Sequence, residues 1–202
     1  MPVAPTSSRG AYLKTPQRRE EILTAAVEVF AAVGFHRGSL RDVAARAGLS
    51  QAGVLHHFPS KPHLLEAVLQ RRDAASQQVL AEAGDPLDNL RAMLDVLVQD
   101  EAMHPELVEL YAVLSTEATS ADHPVHGYFR RRYERVIAYI ADQLARLAEE
   151  GKLRPGIVPQ DAARAMVALM DGLQVQWLYE RDRVDVAGGV GTYLESLLTP
   201  DG

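Results

Sequence analysis

Apolar residues recur along this chain at steps of three and four, the spacing that gathers side chains on one face of an α-helix. Ile22, Ala25, Ala26, Phe30 and Val33 make the first such stripe, with Arg18, Arg19, Glu20 and Glu21 outside it and Thr15-Pro16 marking its start. Ser39 and Asp42 then form an S-x-x-D capping box, so a second helix starts at Leu40 and turns Val43, Ala44 and Ala47 inward. Gly48 supplies the left-handed residue that stops it, Leu49 fills the corner, and Ser50 caps a third helix, Gln51 to His57. Two helices joined by so tight a turn make a helix-turn-helix. The third helix shows small or polar residues on one side and packs Val54, Leu55 and Phe58 on the other, a shape that can enter a DNA major groove.

The pattern continues beyond the motif. Ser60 caps a fourth helix with Lys61 and Pro62 in its first turn, where a proline costs no hydrogen bond, and Leu64, Leu65, Val68 and Leu69 carry it to about Ala83. Gly84-Asp85-Pro86 breaks it. Leu90, Met93, Leu94 and Leu97 mark a fifth helix, and His104-Pro105 opens a sixth with Leu107, Leu110, Tyr111 and Leu114. After a polar loop over 119–124, the longest stripe runs from Val125 to Glu150 through Phe129, Tyr133, Val136, Ile137, Ile140, Leu144 and Leu147. Arg130, Arg131, Arg132 and Arg135 on that seventh helix read as a solvated face. The eighth, Gln160 to about Tyr179, is apolar almost all round, which implies burial on two sides. A ninth carries Val190, Tyr193, Leu194, Leu197 and Leu198; Gly188, Gly189 and Gly191 either precede it or allow a close helix approach. The expected fold is all-α, nine helices in two domains. A mobile basic arm (1–14) leads into a helix-turn-helix domain (15–61), and a helical body (62–202) follows.

Charge supports that division. The 202 residues carry a net charge of -6. Residues 1–61 hold eight Lys or Arg against four Asp or Glu, a balance of +4, whereas residues 62–202 hold 13 against 23, a balance of -10. A basic head on an acidic body keeps phosphate attraction local. Hydrophobic residues make up 47% of a chain long enough to bury a sizeable core. The absence of cysteine excludes disulfides, thiolate metal sites and cysteine nucleophiles. No signal peptide and no apolar run of membrane-spanning length is visible, so a soluble cytoplasmic protein is expected.

The order of residues from about Gln17 to Val68 closely resembles the tetracycline-repressor (TetR) family of bacterial transcription regulators. The likeness rests on the first helix ending in Gly34-Phe35, the S-L-R-D-V-A-x-x-A-G-L-S run, and the H-F-P-S-K junction of His57 to Lys61. The family usually carries a tyrosine three residues before that phenylalanine; this chain has Leu55, and His56 is expected to take over its phosphate contact. The resemblance implies a regulator that binds palindromic double-stranded DNA as a homodimer and answers to a small-molecule effector. On this reading Gln51, Ala52 and Gly53 meet base edges, and Ser39, Arg41, Ser50, His56, His57 and Lys61 lie at the backbone.

The two-sided eighth helix and the ninth are expected to form a four-helix bundle with a second copy, through Val167, Leu173, Tyr193, Leu194 and Leu197. The fifth to eighth helices are expected to enclose an effector cavity. Its candidate lining is Met93, Leu97, Met103, Tyr111, Leu114, Phe129, Tyr133, Met166, Met170 and Trp177, with Glu117, Asp171 and Gln174 as polar anchors. No phosphate loop, nucleophile elbow or H-E-x-x-H pair occurs, so no catalytic residue or cofactor is expected. His56, His57 and His63 lack an acidic neighbour at ligand spacing and are not read as a metal site. A helical protein-binding adaptor, or a ligand-binding protein, that has lost DNA binding is the alternative, with Leu55 in its favour.

Overall fold

A computed structural model of the chain describes the backbone of residues 9–80 and 84–200, and the side chains of 16–74, 84–102 and 104–200. Among the described residues there are nine α-helices: α1 (Arg9–Arg37), α2 (Leu40–Arg46), α3 (Gln51–His57), α4 (Lys61–Leu80), α5 (Pro86–Met103), α6 (Pro105–Glu117), α7 (His126–Glu149), α8 (Pro159–Tyr179) and α9 (Val186–Leu197). They fall into two compact units, Met1–Leu69 and Gln70–Gly202, and the division passes through α4.

In the first unit α2 packs against both α1 and α3. Ile22, Ala26, Phe30, Val43, Val54, Phe58, Leu64 and Leu65 are buried there. Helix α1 begins at Arg9 rather than Thr15, so Pro16 lies inside it. A proline in the second turn deletes one backbone hydrogen bond without ending the helix. Residues 1–8, the larger part of the expected arm, are outside the described residues. Gly34 leaves the helical region with φ 78° and kinks α1. Val33, placed on the inner face by its spacing, is 47% exposed, because the helix kinks at Gly34 one residue later and Phe35 beyond the kink fills the place beside Phe30.

In the second unit α8 packs on α7, α6 and α9, and α5 packs on α6, α7 and α9. Leu90, Ile140, Leu144, Leu147, Ala163, Met166, Val186 and Val190 form the centre of its core. Asn89 Nδ2 donates to Gln143 Oε1 at 2.8 Å inside that core. The three glycines of α9 lie within the helix, which starts at Val186 under an Asp185 cap. A Cβ at Gly189 would stand 2.7 Å from Leu173 Cδ1, so this glycine permits close approach of α8 and α9. Among the described residues, no helix is long and apolar enough to cross a membrane.

Candidate DNA interface and effector cleft

Local capping builds the helix-turn-helix. Asp42 N–H donates to Ser39 Oγ at 3.2 Å, and Asp42 Oδ2 accepts from Ser39 N at 3.0 Å and Ser39 Oγ at 2.6 Å. Gly48 takes φ 65° at the turn, Leu49 N–H donates to Ala44 O at 2.8 Å, and Ser50 Oγ accepts from Gly53 N at 3.1 Å. Val54 is wholly buried, which turns Gln51, Ala52, Leu55 and His56 outward, with Gly53 half-buried beside them. Leu55, expected among the packing residues, is 39% exposed, since one position past Val54 on a helix lies 100° round and leaves the core. Arg41 is exposed on α2.

Two cations brace the end of this motif. Arg19 lies over the Phe58 ring at 4.2 Å and donates to His57 O at 3.4 Å. Lys61 lies over the Phe35 ring at 4.4 Å and donates to His36 O at 3.2 Å, and burial lowers its pKa. His57 is likewise held toward its neutral form, by burial first and then by His56, Arg19 and Arg18. Both Ser39 and Ser50 spend their hydroxyls on caps. Lys61 therefore carries a structural duty that the sequence pattern did not reveal, whereas the two caps were legible in it.

The second unit contains a cleft of about 340 Å³ walled by α4, α5, α6, α7 and α8. Of the expected lining, Leu97, Tyr111, Phe129, Tyr133, Met170, Asp171 and Gln174 do line it. Met93, Leu114, Met166 and Trp177 do not: they are buried outside the cleft wall, because ligand-lining and core positions share one apolar pattern. Glu117 is exposed at the end of α6 and stands outside the wall. The side chain of Met103 lies outside the described residues.

Arg72 and Arg132 are also in the wall, and sequence reasoning missed both. Arg132, expected on a solvated face, is instead paired with Asp73, its Nε 3.2 Å from Oδ1. Asp73 gathers further donors: Tyr128 Oη at 2.7 Å, Tyr111 Oη at 3.4 Å and Arg135 Nη2 at 3.1 Å. Arg72 pairs with Asp100 at 2.7 Å and lies 4.0 Å from the centre of the Tyr111 ring. Burial pushes the Tyr111 hydroxyl up to about 12. On the far wall Tyr133 Oη donates to Asp171 Oδ2 at 2.7 Å. Burial raises the Asp171 pKa above the ordinary carboxylate value, opposed by Tyr133, Arg132 and Arg72.

The outward stripe of α8 is Ala165, Ala168, Gly172, Val175, Gln176 and Tyr179, and Gly188, Thr192 and Glu195 are exposed on α9. Tyr179 is 86% exposed. None of the expected interface residues stands on these exposed positions. Val167, Leu194 and Leu197 are buried in the protomer's own core, and Leu173 and Tyr193 pack partly against it. An all-round apolar helix does not reveal which of its faces the protomer keeps.

One titration lies away from both sites. Burial, then Asp185 and Asp100, raises Glu101 from 4.5 to about 7. The folded state therefore holds an extra proton, so this group's contribution is fullest below pH 4.5 and declines as pH rises toward about 7. Thermal midpoints at about pH 5 and about pH 8 should differ less in Glu101→Gln than in the parent protein.

A helix-turn-helix head followed by a helical body with a polar-lined cleft defines a DNA-binding transcriptional regulator. The chain belongs to the tetR family of bacterial regulatory proteins: residues 22–68 match that family's N-terminal model, and residues 86–199 match the C-terminal model of BetI-type transcriptional repressors. It is 30% identical over 169 residues to the HTH-type transcriptional regulator BetI of Stenotrophomonas maltophilia, covering 81% of each chain. Its fold is similar to that of SmeT in a complex with triclosan, with TM-score 0.79, 23% identity and coverage of 91% and 93%. It is similar as well to a transcriptional regulator from Saccharomonospora viridis in complex with choline, with TM-score 0.76, 21% identity and coverage of 91% and 99%.

Proposed function

We propose that this regulator is a cytoplasmic repressor that binds a palindromic operator as a homodimer and releases it when a small molecule occupies the α4–α8 cleft. The observation that carries the reading is a single helix. α4 begins at Lys61, just after the recognition helix, and contributes Arg72 to the cleft wall. On this reading Gln51, Ala52 and Gly53 read bases, while Arg41 and His56, with Lys61, Ser39, Ser50 and His57 nearby, contact the backbone.

Gln51→Ala is expected to relax base preference at one position per half-site, at a cost of about 1–3 kcal/mol for the specific operator, with nonspecific binding retained. Arg41→Ala should instead weaken all sequences alike and reduce the salt slope by about one. Titration of a fragment from the protein's own upstream region at several salt concentrations measures both. Equal losses of specific and nonspecific binding in both variants would remove the assignment, and failure of the parent protein to bind the fragment at all would favour the adaptor reading.

Effector and operator must also oppose each other reciprocally. An effector that favours one setting of α4 weakens operator binding, and the operator then weakens effector binding by the same factor, about 5- to 150-fold. Calorimetry of effector binding with and without saturating operator measures this factor. One affinity in both titrations would show that the bound molecule is no inducer.

A further inference from the structure

Resting on the reading of the cleft as the effector site, we infer that Gln174 is its hydrogen-bonding anchor and that the effector is uncharged, an apolar ring body carrying one amide or hydroxyl group. Val167, Met170, Asp171 and Gln174 stand on one stripe of α8 at steps of three and four, and this stripe borders the cleft. Gln174 is only 8% exposed, and its carboxamide has no hydrogen-bond partner among the described residues. Buried polar groups in native proteins are rarely left so, because an unmet donor and acceptor cost stability. A ligand group that both donates and accepts, as an amide or a hydroxyl does, meets this need.

The other polar side chains of the wall are already engaged. Tyr133 donates to Asp171 at 2.7 Å, Arg72 pairs with Asp100 at 2.7 Å, and Arg132 pairs with Asp73 at 3.2 Å. The Tyr111 hydroxyl lies 2.7 Å from that of Tyr128. Ser115 and Thr116 donate to Ala112 O, and Thr119 donates to Thr116 O. Charge is balanced as well: the guanidiniums of Arg72, Arg132 and Arg135 are matched by the carboxylates of Asp73, Asp100 and Asp171. An ionic ligand brings a net charge into a site of reduced dielectric with no counter-charge to spare, or else breaks one of these pairs. An uncharged ligand does neither. Leu97, Phe129, Val136, Val167 and Met170 give its body an apolar seat, and a cleft of about 340 Å³ lies near the lower end of the range for small-molecule sites.

The test is calorimetry on the full chain with four probes that share one ring body: 1-naphthamide, 1-naphthoate, 1-naphthylmethylammonium and 1-methylnaphthalene. Naphthamide is expected to bind at least about tenfold tighter than either ion, since neither ion finds a free counter-charge. Gln174→Met, which keeps the length of the side chain and removes its amide, should weaken naphthamide about fivefold and leave methylnaphthalene within about twofold. A general loss of packing would weaken both. Should that variant fail to fold, the ranking of the amide against the two ions in the parent protein decides. An ion that binds as tightly as the amide, no binding of the amide, or a Gln174→Met change that moves amide and methylnaphthalene alike overturns the inference. Ala112→Trp, a change at the cleft wall, separates this from the reading beneath it. An ion that binds tightest and is lost in Ala112→Trp overturns the uncharged class and keeps the cleft as the effector site. Naphthamide binding that is indifferent to Ala112→Trp overturns the reading of the cleft itself.

Discussion

Asp73→Ala is expected to destabilise the second unit by about 3–5 kcal/mol, because it strands partly buried guanidinium and hydroxyl groups without their shared acceptor. Asp73 accepts from Tyr128, Tyr111, Arg132 and Arg135, which come from α6 and α7, while it stands on α4. The side chains of Arg132 and Asp73 are 19% and 16% exposed, so solvent offers little replacement. The loss should therefore far exceed that of an exposed ion pair such as Arg130–Glu134, where removal of either partner is expected to cost no more than about 1 kcal/mol. The chain's single tryptophan, Trp177, is buried in the second unit and reports its unfolding in a urea titration. A midpoint shift equivalent to less than about 1 kcal/mol would mean that the network contributes little beyond geometry. Asp73→Asn, which keeps an acceptor oxygen but not the charge, should fall between the two.

Ala168→Glu is expected to leave the chain folded and abolish the proposed dimer. Ala168 is exposed at the middle of the outward stripe of α8, so a longer side chain meets no clash within one copy. In an isologous interface the same glutamate enters from both copies, and burial of two like charges costs several times the stability of a typical surface contact, about 3–5 kcal/mol for each uncompensated charge. Sedimentation should show a monomer, and operator affinity should collapse because one half-site alone remains engaged. Leu194→Glu provides the contrast: Leu194 is 3% exposed within the protomer, so that change should unfold the second unit rather than separate two intact copies. A folded dimer in Ala168→Glu would show that a different face joins the copies.

The helix-turn-helix was legible in the sequence because its determinants are local. Ser39 and Asp42 close a capping box three residues apart, Gly48 supplies the positive φ, and Ser50 reaches the amide of Gly53, again three residues on. Such contacts form whatever the rest of the chain does. The run of apolar stripes likewise fixed the number and order of the helices, since a period of 3.6 residues needs no partner to be recognised.

Four arginines close together on α7 looked like a solvated face because a charged run usually is one. Arg132 departs from that rule only because the fold brings Asp73 to it from 59 residues away. The same limit applies to α8, whose apolar residues surround the helix in sequence. Packing against α7 and α9 decides that Val167 turns inward and Ala168 outward. Met166 and Met170 look alike in the chain, yet one is sealed in the core and the other borders the cleft. The sequence by itself determined the helices, their caps and the DNA-reading motif, through interactions within a turn or two of chain. Only the tertiary structure decided which buried positions border a cleft, which cations enter it and which face of α8 remains open, because burial and charge pairing depend on residues that chain spacing does not place together.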